Sequence, residues 1–295
     1  MTAPPADPAQ DWTQDWMGGA TTRFVQGAGG VRLAVVEGGR ADGPPILFIH
    51  GFSQAALCWT RQFTGDLARA FRLIAFDLRG HGNSQKPEAV EAYRSADLWA
   101  DDVAAVIAAL DLRRPVLAGW SFGGRVLGAV ARRHGVADFA GLVFVGSISK
   151  GGVPDAARFR GTTGPIQAAM ASTEMAVAAD ATLRFIRACT AAPLPADLQR
   201  LMDLTNGMAP PAVRGAMMGW QVDHDDILPS LDVPALVIHG AQDQVLLPAA
   251  GRHIASLLPD AEFRLYEASG HAPFLEEPAR FDADLAAFTR RVQAG

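Results

Sequence analysis

The chain has 295 residues, 49% of them hydrophobic and 19% charged, and a net charge of −5, which allows one large globular domain with or without an insertion. The basic residues form no stripe interleaved with aromatic side chains, which argues against a nucleic-acid partner and a polybasic membrane anchor. Two distant cysteines, Cys58 and Cys189, are too few for a disulfide framework or a tetrahedral metal site, so we expect buried, reduced thiols.

Residues 1–20 show almost no periodicity and are interpreted as a loose N-terminal arm, from which Trp12 and Trp16 could pack onto the body. Residues 1–10 lack the positive start and the apolar segment of a secretory signal. Nowhere does an apolar stretch approach the roughly 20 residues of a membrane helix. We therefore expect a cytoplasmic protein with no membrane association.

Short apolar segments alternate with helical patterns along the rest of the chain, which predicts an α/β domain with a mainly parallel sheet. The predicted strands are 31–37, 45–50, 72–76, 115–119, 141–145, 235–239 and 262–266. The predicted helices are 95–110, 122–134, 248–258 and 278–292. Ser95 is a candidate N-cap, and the last two helices begin with proline. Glycine-rich residues 27–30 are interpreted as a hairpin turn, because no helix follows them to form a phosphate-binding loop.

Residues 150–224 interrupt this alternation with a helical pattern that is broken by six prolines and shows no convincing strand. We interpret the segment as a helical insertion between two strands, in the position of a lid. Its methionines suit a wall that adapts to apolar ligands, although a Met-rich packing face without a ligand role is equally consistent with them. These methionines are Met170, Met175, Met202, Met208, Met217 and Met218.

Ser121 is the candidate nucleophile, at the centre of the Gly-x-Ser-x-Gly pentapeptide of residues 119–123. The pentapeptide lies between a predicted strand and a predicted helix, which is the context that this motif requires. Its two glycines lie two residues before and two residues after the serine. They fit a turn so tight that side chains at these two positions would clash. The alternative is that Ser121 only caps the following helix.

His271 and Asp243 complete a candidate triad, and each follows the end of a predicted strand. His271 would act as base and then acid, and Asp243 would orient it. The order Ser121, Asp243, His271 is that of the nucleophile-elbow class. Taken alone, Asp243 is also consistent with a turn residue. The backbone N–H groups of Phe52 and Phe122 are the candidate oxyanion hole, whereas His50 is expected to be a buried, structural hydrogen-bonding residue.

These motifs resemble those of the α/β-hydrolase fold superfamily, from about residue 23 to residue 292, and together they are highly specific for that fold. The matching segments are 50–52, 77–84, 119–123, 240–243 and 270–271. The resemblance implies a mainly parallel central sheet flanked by helices, with a helical cap inserted after the sixth strand. It also implies that Asp77, Arg79 and His81 brace the site without acting in it.

A serine at position 121 excludes the relatives of this fold that use an aspartate nucleophile, namely epoxide hydrolases and haloalkane dehalogenases. The nearest resemblance is to carboxylesterases and to cofactor-free haloperoxidases or perhydrolases. The predicted organisation is an arm (1–20), a hydrolase core (21–149 and 225–295) and a helical cap (150–224). The candidate pocket wall is Phe52, Trp59, Trp120, Phe122, Met170, Met217, Met218 and Trp220.

The predicted function is hydrolysis of a small-to-medium, mainly apolar carboxylic ester through an acyl-serine. Acyl transfer or perhydrolysis would use the same triad. C–C bond hydrolysis would need a group that binds carboxylate or enol, for which Arg125, Arg158 and Arg160 are candidates, although a surface salt bridge is the simpler expectation for each. A non-catalytic receptor is the remaining alternative. No cofactor or metal is expected, the partner is a small-molecule ester, and the oligomeric state is left open.

Overall fold

The computed structural model describes residues 15–294, and within them ten strands are present, eight of which form one sheet in the order β1-β2-β4-β3-β5-β6-β9-β10. The strands from β4 to β10 in this order are parallel, whereas β1 and β2 are antiparallel to their neighbours. The strands are β1 (Thr21–Gln26), β2 (Arg32–Gly39), β3 (Pro45–Ile49), β4 (Arg72–Phe76), β5 (Val116–Trp120), β6 (Gly141–Val145), β7 (Lys150–Gly151), β8 (Val222–Asp223), β9 (Ala235–Gly240) and β10 (Ala261–Tyr266).

Helices cover both faces of the sheet, so the α/β prediction is confirmed. Alternate side chains of β3 point to opposite faces, with Leu47 packed in one apolar cluster and Phe48 in the other, as the period of two in a strand requires. The helices are α1 (Thr60–Phe63), α2 (Leu67–Ala70), α3 (Ala96–Ala109), α4 (Phe122–His134), α5 (Gly164–Ala169), α6 (Met175–Ala188), α7 (Ala196–Gly207), α8 (Pro211–Met218), α9 (Pro248–Leu257), α10 (Pro273–Glu276) and α11 (Pro278–Ala294).

The predicted seven strands and four helices of the core are present, with ends that shift by at most two residues. Ser95 caps α3, because its Oγ accepts a hydrogen bond from the N–H of Leu98 at 3.4 Å. The turn predicted at residues 27–30 joins β1 to β2. Strand β1 itself was not predicted, since only Val25 is buried within it and its sequence shows no apolar run.

Residues 150–224, which we call the inserted segment, lie between β6 and β9 and contain α5 to α8. The two-residue strands β7 and β8 pair antiparallel, with Lys150 opposite Asp223, and so bring the two ends of the segment together. The sequence analysis predicted no strand here, because two residues are too few to produce a pattern.

At the beginning of the described chain, Trp16 is partly buried against the apolar cluster to which α1 and α11 contribute. Its carbonyl accepts a hydrogen bond from Thr60 Oγ1. Trp12, with the remainder of residues 1–14, lies outside the described residues. No helix within residues 15–294 is long and apolar enough to cross a membrane.

Candidate active site

Ser121 lies in a sharp turn between β5 and α4, with φ 53° and ψ −109°. This is a strained conformation for a residue with a side chain. The turn is fixed by steric crowding around two glycines. A Cβ atom on Gly119 would lie 2.6 Å from the carbonyl of Gly123, and one on Gly123 would collide with the carbonyl oxygen of Ile49. The strain and the crowding leave the Ser121 side chain partly exposed at the start of a helix, whose dipole favours developing negative charge there.

The structure brings Asp243 and His271 together, each in the loop after its strand. The His271 Nδ1 lies 2.7 Å from Asp243 Oδ2, and both side chains are buried. The carbonyl of His271 accepts a hydrogen bond of 2.8 Å from the indole of Trp120, the residue that precedes Ser121. The His271 N–H donates to the carbonyl of Cys189, at the end of α6, over 2.8 Å. The histidine is therefore held beside the turn from two sides.

Asp243 keeps its negative charge although it is buried. Burial alone would raise the pKa of this carboxyl group, but the charge of His271 and hydrogen bonds from His239 and His271 lower it overall. Its Oδ1 accepts the N–H groups of Val245 and Leu246 at 2.7 and 2.9 Å. An ionised acceptor at this place orients the imidazole with Nδ1 protonated and leaves Nε2 to act as the base.

Two backbone N–H groups next to Ser121 are free to bind an oxyanion. Within residues 15–294, no acceptor pairs with the N–H of Phe52 or with that of Phe122, the first residue of α4. Gly51 allows the loop after β3 to approach the turn, because a Cβ atom there would lie 3.0 Å from the Trp120 ring and 3.3 Å from Ser121 Cβ. Free donors beside a candidate nucleophile are what acyl chemistry requires.

A narrow cavity of about 60 Å³ opens at Ser121. Half of the eight candidate wall residues line it, and the other half, Trp59, Trp120, Met170 and Trp220, do not. Trp59 and Trp120 pack on Phe274, on the face of the sheet opposite to that of Phe122. Trp220 packs against the ring of Phe122. The cavity is lined by Phe52, Ser121, Phe122, Arg125, Ile148, Lys150, Arg160, Gln167, Met217, Met218 and Leu246.

Comparison with known proteins agrees with this geometry. Residues 44–278 match the family described as the alpha/beta hydrolase fold. The chain belongs to the α/β hydrolase fold family. A putative aryl esterase from Burkholderia cenocepacia is similar in structure, with 34% identity, a TM-score of 0.88 and coverage of 93% of this chain and 100% of that one.

Two further relatives of this α/β hydrolase carry different names. An esterase from Rhodococcus sp. ECU1013 is 32% identical, with a TM-score of 0.85 and coverage of 92% of this chain and 99% of the other. A non-heme chloroperoxidase from Streptomyces lividans is 30% identical over 274 residues, which are 88% of this chain and 97% of that protein. The family thus includes relatives named for ester hydrolysis and for halogenation.

Other polar residues of this hydrolase brace the loops around the site. His50 Nε2 accepts the N–H of Leu78 at 2.9 Å, the structural role expected for it. Arg79 forms a buried, bidentate pair with Asp102 on α3, at 2.7 and 2.8 Å. The role of Asp102 was missed in the sequence, where nothing distinguishes it from Asp97 and Asp101 of the same helix.

Proposed function

We propose that this chain is a serine esterase that cleaves a small-to-medium carboxylic ester through an acyl-serine, with Ser121 as nucleophile and His271 and Asp243 as its partners. The observation that carries the proposal is the strained turn at Ser121 beside two backbone N–H groups that have no acceptor in the described part of the chain. Two similar structures of esterases support it.

In this mechanism His271 takes the proton of Ser121 as the serine attacks the ester carbonyl, and the N–H groups of Phe52 and Phe122 bind the oxyanion. The protonated histidine then gives its proton to the departing alcohol. A water molecule, deprotonated by His271, attacks the acyl-serine and releases the acid. Asp243 stays ionised throughout and stabilises the imidazolium.

In the proposed organisation, residues 1–20 are an arm, 21–149 and 225–295 the core, and 150–224 a cap over the site. Met217 and Met218 from the inserted segment line the cavity, and their flexible side chains would let a small cavity accept acyl chains of different shape. We also propose that the protein works in the cytoplasm on small molecules, which the two buried, unpaired cysteines support.

The test is the rate of hydrolysis of 4-nitrophenyl esters from acetate to decanoate by wild type and Ser121→Ala. We expect kcat to fall by about 10⁴-fold or more in the variant, and a fluorophosphonate probe to label wild type only. Ser256→Ala, which changes an exposed serine on α9, is the matched control and should keep full activity. Hydrolysis that survives unchanged in Ser121→Ala would refute the mechanism.

Perhydrolysis is a second candidate, favoured by the similarity to a non-heme chloroperoxidase. Here hydrogen peroxide replaces water in the attack on the acyl-serine and a peracid is released, which oxidises halide in solution. Bromination of monochlorodimedone in acetate with peroxide measures this activity. Peracid formation that is lost in Ser121→Ala would establish it, and bromination that persists in the variant would exclude this route.

A further inference from the structure

The wall of the cavity at Ser121 contains three cationic side chains, those of Arg125, Lys150 and Arg160. Lys150 Nζ lies 2.9 Å from Asp155, 3.3 Å from Asp223 and 2.7 Å from Asp225. Burial lowers the pKa of Lys150, but hydrogen bonds to these three carboxylates raise it overall. Among residues 15–294, no carboxylate pairs with Arg125 or Arg160. Arg125 and Arg160 therefore bring positive charge to the cavity wall without a direct carboxylate partner among these residues.

Arg125 is held in place without an anion. Its guanidinium carbon lies 4.7 Å from the centre of the Phe122 ring and 5.7 Å from that of Trp220. Its Nε is buried and has no hydrogen-bond partner in the described part of the chain. Burial and the nearby charge of Arg160 lower the pKa of Arg125 to about 9. The aromatic rings thus orient the side chain while its buried Nε makes no hydrogen bond within residues 15–294.

This arrangement differs from the surface salt bridge considered for Arg125 in the sequence. Arg158 does form such a bridge, to Asp155 at 3.3 Å, and is exposed. Arg125 is half-buried rather than at the surface. A guanidinium shielded from water without a counter-ion costs free energy, and a carboxylate is the group that matches its planar fork of donors. Arg125 lies in the first turn of α4, four residues after Ser121, and both side chains line the same cavity.

We propose that Arg125, with Arg160 at the edge of the same cavity, binds a carboxylate of the substrate, so that the preferred esters are anionic. This inference rests on the proposed esterase function and names its substrate class: an ester that carries a carboxylate a short chain away from the scissile carbonyl, as in a half-ester of a short dicarboxylic acid. The guanidinium positions that carbonyl against Ser121 by holding the far end of the substrate.

The first experiment compares methyl hydrogen glutarate with methyl 5-methylhexanoate, a neutral ester of nearly the same shape, by titration of released acid. We expect wild type to prefer the anionic ester, and the ratio of kcat/KM for the two esters to fall about 10- to 100-fold in Arg125→Met, mainly through KM. Arg158→Met is the matched control and should keep the wild-type ratio. Butyryloxyacetate carries its carboxylate on the alcohol side. Its kcat/KM in wild type and Arg125→Met shows whether Arg125 binds a carboxylate on the acyl side or on the alcohol side of the ester.

The second experiment measures binding without turnover, by calorimetric titration of Ser121→Ala with glutarate, and with butyrate to detect binding at the oxyanion donors alone. We expect glutarate to bind Ser121→Ala and to lose at least 10-fold in affinity when Arg125→Met is added. Arg125→Gln, whose fold is checked by thermal unfolding, repeats the test if the methionine variant is unstable.

The two proposals fail in different ways. An unchanged ratio of the two esters in Arg125→Met, together with unchanged glutarate affinity, would overturn the carboxylate site and leave the esterase intact. Glutarate binding that depends on Arg125, in a protein that cleaves no ester, would support the site and overturn the esterase.

Discussion

Asp243 accepts hydrogen bonds on both of its carboxylate oxygens, although it is almost fully buried. Oδ1 accepts two backbone N–H groups, and Oδ2 lies 2.7 Å from His271 Nδ1 and 3.1 Å from His239 Nε2. Because donors face both oxygens of this carboxylate, each oxygen must accept, and the carboxylate must stay ionised. The same contacts that hold the charge of Asp243 therefore select the tautomer of His271.

We expect Asp243→Asn to lower kcat for ester hydrolysis by about 10³- to 10⁴-fold, because an amide NH₂ facing His271 would favour the wrong tautomer. The NH₂ group also replaces an oxygen that now accepts two hydrogen bonds, so unfolding should be easier by about 1–3 kcal/mol. Ester kinetics and urea unfolding measure the two effects. A variant within tenfold of the wild-type kcat would contradict the role given to Asp243.

Among single residues, the sequence predicted those whose position after a strand end identifies them. It missed those whose role depends on the direction in which a side chain points. Ser121, Asp243 and His271 follow strand ends, which parallel strands bring to one edge of the sheet. Trp120 lies next to the serine in the sequence, yet alternation along β5 sends its ring to the opposite face. The same sequence could not show that Arg125 has no carboxylate partner within residues 15–294, because neighbours such as Trp220 come from the inserted segment.

Among the elements, the loop after β3 is tied to the inserted segment by side-chain hydrogen bonds, several of which involve Arg214. Ser53, next to the oxyanion residue Phe52, has a positive φ of 62°. Its Oγ accepts from Arg214 Nε at 2.8 Å and donates to the carbonyl of Asn206 at 3.1 Å. Arg214 also donates to Asn206 and to Thr182 Oγ1, at 2.6 and 2.8 Å. The loop is therefore held in its strained conformation by α6, α7 and α8.

Arg214→Met should loosen this link, since it removes the donors that Ser53, Asn206 and Thr182 now use. We expect a loss of about 2–4 kcal/mol in the free energy of unfolding and a lower kcat, because the Phe52 N–H loses its support. Thermal unfolding and ester kinetics test both, and Arg200→Met, an exposed change on α7, is the control. A variant as stable and as active as this control would show that the link is dispensable.

The elements that the sequence predicted well are those whose pattern comes from burial. Strands β3, β5, β6 and β9 are almost wholly buried and stood out as apolar runs. Helix α4 begins directly after the turn at Ser121 and ends directly before Gly135, as predicted. In the inserted segment the helical character was predicted but not the number of helices, because contacts with the core, such as that of Arg214, decide where each of them packs.

Across the whole molecule, three buried histidines make stability depend on pH. Burial lowers the pKa of His50 to about 4, a shift that its contact with Gly51 opposes. Burial and the charge of His50 lower that of His81 to about 3. Burial and Arg132 lower that of His224 to about 4. In the unfolded chain each would titrate near its ordinary value of about 6.5.

Below pH 6.5 the unfolded chain therefore binds more protons than the folded one, and these three residues make the free energy of unfolding fall as the pH falls towards 4. Between pH 7.5 and 5 we expect a loss on the order of 1–2 kcal/mol for each histidine, measured by urea unfolding at both values. His81→Asn cannot take up this proton, so its stability should fall less over the same interval. Equal losses in the variant and in wild type would show that His81 does not contribute to the pH dependence.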